Sequence, residues 1–184
     1  PFIVIAVTAT LLVLRLHPSP AQLLLWGGIC LVCGAGLPFL FVFWLWRRGH
    51  VTDVHVAIRK QRSVPFGAAL VSMAIGVVAL YVARAPRELV ALGCVYLVVG
   101  LVLTLVSLWW KISVHSAVLA TCAVALGLLG YPAAWYGLLG VPLVLWARAY
   151  RQRHTVLQGL VPALLGVVLT PLVYGAALAL LPGR

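Results

Sequence analysis

Carboxylates are nearly missing from this chain of 184 residues: Asp53 and Glu88 are the only two. Mg2+-dependent chemistry on a diphosphate rests on clusters of acidic oxygens around the ion, so that class of site is excluded. Proton or cation transport through carboxylates is disfavoured for the same reason. Charge of either sign is scarce, at 8% of residues where a soluble domain carries roughly a quarter. Water is therefore not this chain's main solvent. Cysteine is sparse too, and Cys30, Cys33, Cys94 and Cys122 all lie in apolar stretches, where a thiol acts as a small hydrophobe. Cys30 and Cys33 form a CxxC, but without the further ligands or polar pocket that a metal or redox site needs. Cysteine usage says nothing of compartment.

What the chain has in excess is hydrocarbon, at 65% hydrophobic residues. A crossing takes about 20 apolar residues, so this length holds about six or seven of them and little else. The expectation is all-α: one polytopic membrane helix bundle over residues 1–184, with no soluble appendage. Apolar runs bounded by charge or by Pro/Gly clusters place the spans near 2–16, 21–46, 66–84, 88–110, 114–130, 132–147 and 156–181. Since Pro1 opens the chain inside an apolar run, the N-terminus is expected to be trimmed or disordered.

If every span crosses once, residues 47–65, 110–113 and 148–155 share one side. That side holds Arg47, Arg48, Arg59, Lys60, Arg62, Lys111, Arg148, Arg151 and Arg153, nine of the thirteen Lys and Arg. Basic residues concentrate in loops that stay cytoplasmic, so this is the expected cytoplasmic face. The same rule accounts for the net charge of +11 without a nucleic-acid partner. His50, His55, His115 and His154 fall on that face as well. His115 and His154 each sit beside cations where a span begins, a depth at which ionisable groups are functional by default. Trp44, Trp46, Trp109, Trp110 and Trp146 mark it as an interfacial belt.

The inventory of this face is Arg and Lys to hold an anion, two helix N-termini whose amides favour negative charge, and imidazoles. Those parts suit phosphate, since Arg is the preferred fork for its oxygens and His serves as nucleophile or general acid. A metal-free phosphoryl transfer through a phosphohistidine needs nothing more, and no cofactor is implied.

Three short patterns then resemble the signature of the membrane-bound type 2 phosphatidic acid phosphatase superfamily. The family's third part reads Ser-Arg, five residues, His, three residues, Asp; here Ala147-Arg148 is followed by five residues, His154, three residues and Gln158. Its second part, Pro-Ser-Gly-His, is matched by the Ser and His of Ser113-Val114-His115, preceded by Lys111-Ile112. Its first part, Lys, six residues, Arg-Pro, corresponds loosely to His55, six residues and Arg62, with Pro65 two positions late. The resemblance covers roughly residues 50–160. It implies His154 as nucleophile, His115 as the acid on the leaving oxygen, and Arg62, Arg148 and Ser113 as phosphate ligands. Lys111 adds a charge, and Arg59 and Lys60 are candidates to replace the family's first lysine.

The main departure is Gln158, where the family has the Asp that orients the nucleophile and stabilises its charge. At i+4 on a helix, the Gln carbonyl is expected to face His154 and accept its Nδ1 proton. The implied activity is metal-independent hydrolysis of a lipid phosphate or diphosphate, with polyprenyl and phosphatidate-like substrates equally compatible. Membrane lipids are the other expected partners, and no residue sets an oligomeric state. Two alternatives stay open: a lipid-phosphate binder or transporter that has lost turnover, and a structural membrane subunit.

Overall fold

The computed structural model describes residues 8, 10, 18–53, 56, 58, 61–152 and 155–182. Among them every regular element is helical. The first expected span, near 2–16, lies almost wholly outside the described residues.

Helix α1 (Pro20–Leu31) starts where the sequence turns helical with Pro20 in its first turn and Ser19 as cap. Ser19 Oγ accepts from the Gln22 amide and the Gln22 side chain accepts from the Ser19 amide, so two terminal donors are satisfied together. A π turn (Val32–Gly36) carries α1 into α2 (Leu37–Arg47), giving one apolar rod of 28 residues. In the π register the donor to the Cys33 carbonyl would be the amide five residues on, but that residue is Pro38 and has no N–H. Ser72 Oγ donates to Cys33 O instead, at 2.8 Å, which ties the turn to the next helix.

Helices α3 (Ser63–Val82) and α4 (Arg87–Trp109) pack as a hairpin. Helix α4 is the hub, with Leu89, Leu92, Val95, Val99 and Leu103 buried at three- and four-residue spacing between α3 and α7. Helix α5 (Val114–Leu128) packs most extensively on α7 (Val156–Leu180). Their shared seam is built from small residues: Ser116, Ala117, Ala120 and Thr121 on one side, Gly159, Ala163, Gly166 and Thr170 on the other. Small side chains let helix backbones approach where hydrophobic transfer gives little drive, since lipid is as apolar as Leu.

Four helical segments are long and apolar enough to cross a membrane: Pro20–Arg47, Ser63–Val82, Arg87–Trp109 and Val156–Leu180. They match the spans expected at 21–46, 66–84, 88–110 and 156–181 to within a few residues. Helix α5, at 15 residues, reaches about 22 Å against an apolar core of about 30 Å. The span expected at 132–147 is not one α-helix. A 3-10 segment (Pro132–Leu139) precedes a short α6 (Gly140–Tyr150). Gly130 at φ 81° and Pro132 end the preceding helix, and the Trp135 ring lies against Gly127, where a Cβ would come within 2.4 Å of it. That fit folds the 3-10 segment onto α5.

The α5–α7 seam is testable within one helix. A Cβ at Gly166 would sit 2.8 Å from Ala117 O and from Thr121 Oγ1, whereas one at Gly175 would meet nothing within 4 Å. Gly166→Ala is expected to lower stability by about 1–3 kcal/mol, and Gly175→Ala to leave it unchanged or raise it slightly. Thermal unfolding in detergent reads both.

Candidate anion site

The polar end of the bundle forms because two anchors draw separate elements together, and a third feature is left open between them. The first comes from a proline inside α7. Pro162 has no N–H, so the carbonyl four residues earlier, Gln158 O, loses its intrahelical donor. The Ser113 amide fills that vacancy at 2.8 Å, and Ser116 Oγ donates to the next carbonyl, Gly159 O, also at 2.8 Å. The N-terminus of α5 is thereby docked on the first turn of α7.

The second anchor is Arg62, immediately before α3. Its side chain is buried, at 7% exposure. Nε donates to Val56 O at 3.0 Å and Nη1 to Ile112 O at 3.1 Å, while the guanidinium lies 6.0 Å from the Phe66 ring centre. These bonds join the loop before α3 to the segment before α5. None of them neutralises the charge. Burial pushes the Arg62 pKa down, and the like charge of Arg148 pushes the same way. Arg148 lies in the last turn of α6.

The third feature is an unmet hydroxyl. Ser113 caps α5 without using its side chain, and its Oγ is buried with no hydrogen-bond partner among the described residues. A buried donor left open costs about 1–3 kcal/mol, so it calls for a partner. Ser113 follows Ile112, whose carbonyl holds Arg62. One end of the bundle thus gathers a buried guanidinium, a second guanidinium and an open hydroxyl, with the α5 amides beside them. An anion at this end would offset the desolvation of Arg62.

Of the residues expected in the site, Arg62, Ser113, Arg148 and Gln158 meet around this point. His115 lies half-buried in the first turn of α5 and Lys111 half-buried two residues before Ser113. His154, Arg59 and Lys60, with His55, lie outside the described residues. The helix expected to carry both His154 and Gln158 begins only at Val156, with Thr155 as its cap. Gln158 is the third helical residue, and its Oε1 accepts from the Thr155 amide at 3.1 Å. The Gln carbonyl is thus engaged in a capping box with Thr155, while His154, its expected partner, lies outside the described residues. Of the tryptophans expected to form a belt, Trp109 and Trp146 are exposed, at 77% and 66%.

Sequence reasoning missed the backbone partners of Arg62, Val56 O and Ile112 O, for which no side-chain pattern exists. It also passed over Ser116 and Pro162, though a proline four residues after Gln158 was a readable sign of a freed carbonyl. No protein-family model, no curated protein and no solved structure matches the chain.

Anion binding here should relieve the strain on Arg62. Orthovanadate or phosphate is expected to raise the melting temperature of the detergent-solubilised protein, by about 2–4 °C per kcal/mol of binding for a chain of this size. Arg62→Gln should abolish that shift, and a shift undiminished in the variant would place the anion elsewhere.

Proposed function

We propose that the chain is a membrane-embedded hydrolase of lipid phosphates or diphosphates, acting without a metal through a phosphohistidine. The single observation that carries this reading is the buried Arg62 guanidinium, held only by the neutral Val56 and Ile112 carbonyls among the described residues, next to the Ser113 hydroxyl. A guanidinium that is buried and bonded to neutral carbonyls keeps its full charge, which an anion beside it would compensate. Phosphate is the anion that the forked guanidinium geometry fits best. The four long apolar helices support a membrane setting, with the headgroup at the Arg62 end and the tail among the helices. The bundle is multi-pass in this reading, and its basic end faces the cytoplasm.

The reaction divides into two displacements. His154 attacks phosphorus, the bond from phosphorus to the lipid oxygen breaks, and His115 gives that oxygen its proton. His115 then takes a proton from water, the water oxygen attacks phosphorus, and inorganic phosphate leaves with His154 restored. Arg62, Arg148 and Ser113 hold the non-bridging oxygens, where negative charge persists through both steps. Lys111 adds positive charge at the rim. Asp53 and Glu88, separated by the length of α3, offer no paired oxygens for a divalent ion.

A second reading, a binder on the same site without turnover, is favoured by Gln158. Its oxygen serves the Thr155 amide and its amide carries no charge, so it supplies none of the stabilisation that an Asp gives a histidinium. Phosphate release from lipid phosphates in mixed micelles with EDTA separates the two. The hydrolase reading expects release by the wild type, loss to background in His154→Ala, and a gain of about tenfold or more in Gln158→Asp, where the carboxylate stabilises the charged imidazole. Release by His154→Ala equal to wild type would remove the nucleophile assignment. Absence of release from wild type and Gln158→Asp alike, with binding retained, would leave the binder.

A further inference from the structure

The polar end leaves unexplained an apolar cavity farther along the helices, open on one side. Its volume is about 60 Å3, and it is bounded by Ile29, Cys30 and Cys33 near the π turn, Met73 and Gly76 of α3, and Tyr96 of α4. The polar groups at its edge are already engaged: the Tyr96 hydroxyl lies 2.9 Å from Cys122 Sγ, and the Cys33 carbonyl accepts from Ser72. What remains is hydrocarbon and sulfur, soft surfaces that adapt to an apolar guest. A space of about 60 Å3 suits the tip of a chain rather than a ring or a headgroup.

Its position relative to Arg62 is set by helical geometry. Arg62 has helical dihedrals, φ −82° and ψ −26°, so it continues the register of α3. Arg62, Phe66, Ala69, Met73, Gly76 and Leu80 recur at three- and four-residue steps and therefore share one face of that helix. Met73 and Leu80 stand eleven and eighteen residues beyond Arg62. At 1.5 Å per residue, the cavity begins about 16 Å and ends about 27 Å from the anion site. An extended chain advances roughly 1.2 Å per bond, so that distance corresponds to roughly 13–22 chain atoms.

We propose that this cavity receives the distal end of the substrate's hydrocarbon tail and measures its length, selecting lipid phosphates whose chain runs roughly 13–22 carbons from headgroup to tip. The inference rests on the lipid-phosphate reading of the Arg62 site. The tail comes to the cavity from lipid, not from water, so the gain is one of packing and amounts to severalfold in affinity, not orders of magnitude.

The test is binding of octyl, dodecyl, hexadecyl and eicosyl phosphate to the full chain in one detergent, for the wild type and for Cys30→Leu, which fills the cavity. The wild type is expected to bind hexadecyl phosphate about fivefold more tightly than octyl phosphate, and Cys30→Leu to lose that preference while binding octyl phosphate unchanged. Identical chain-length profiles in both proteins, or no preference in the wild type, would overturn the ruler and leave the phosphate site standing. Failure of the wild type to bind any of the four would instead sink the phosphate site and the ruler with it. Should Cys30→Leu not fold, a hexadecyl phosphate with a diazirine at its tip reads the same question on the unaltered chain. Cross-links at residues 29–33 and 73–80 are expected, and cross-links confined to other positions would refute the proposal.

Discussion

A guanidinium withdrawn from water and held by neutral carbonyls is the constraint around which the polar end is arranged. Arg62 reaches two carbonyls from different segments, Val56 O before α3 and Ile112 O before α5. Those bonds fix its position but leave a full charge in a place that disfavours it, and Arg148 adds repulsion. With only two acidic residues in the chain, internal pairing was never a general solution. A fold that buries a cation in this way retains it for an external anion more readily than for stability, because a hydrophobic residue of similar size costs less to bury.

Backbone groups freed by proline give the same end its precision. Pro162 opens the Gln158 carbonyl to the Ser113 amide, and the neighbouring Gly159 carbonyl takes Ser116. Pro38 likewise leaves the Cys33 carbonyl to Ser72. In a medium without water each open carbonyl must find a donor, so each proline dictates a contact between helices. The first of these contacts places the N-terminus of α5 beside Arg62. The second ties the π turn to α3, next to the apolar cavity.

Much of the architecture was legible because apolar runs of span length are the strongest signal a sequence carries. The segments 20–47, 63–82, 87–109 and 156–180 could be read to within a few residues from hydropathy and from Pro/Gly breaks. The 132–147 run misled because its hydropathy suits a span, whereas the fit of Trp135 onto Gly127 and the prolines make it a 3-10 segment and a short helix. At the site, Arg62, Ser113 and Gln158 lie at one end through the Arg62–Ile112 and Ser113–Gln158 bonds, although α5 and the segment after it are not span-length helices. The role of Gln158 was legible but passed over, since Thr-x-x-Gln before an apolar run is the sequence signature of a capping box. The partners of Arg62 were invisible because backbone carbonyls carry no sequence signature.

The central claim is that Arg62 and Arg148 serve one anion. A double-mutant cycle on vanadate affinity tests it most directly, using the wild type, Arg62→Gln, Arg148→Gln and the double variant at one ionic strength. Shared contact predicts that each single change weakens binding at least tenfold and that the double variant loses less than the sum, with a coupling of about 1–2 kcal/mol. Additive losses, or wild-type affinity in either single variant, would contradict a common site.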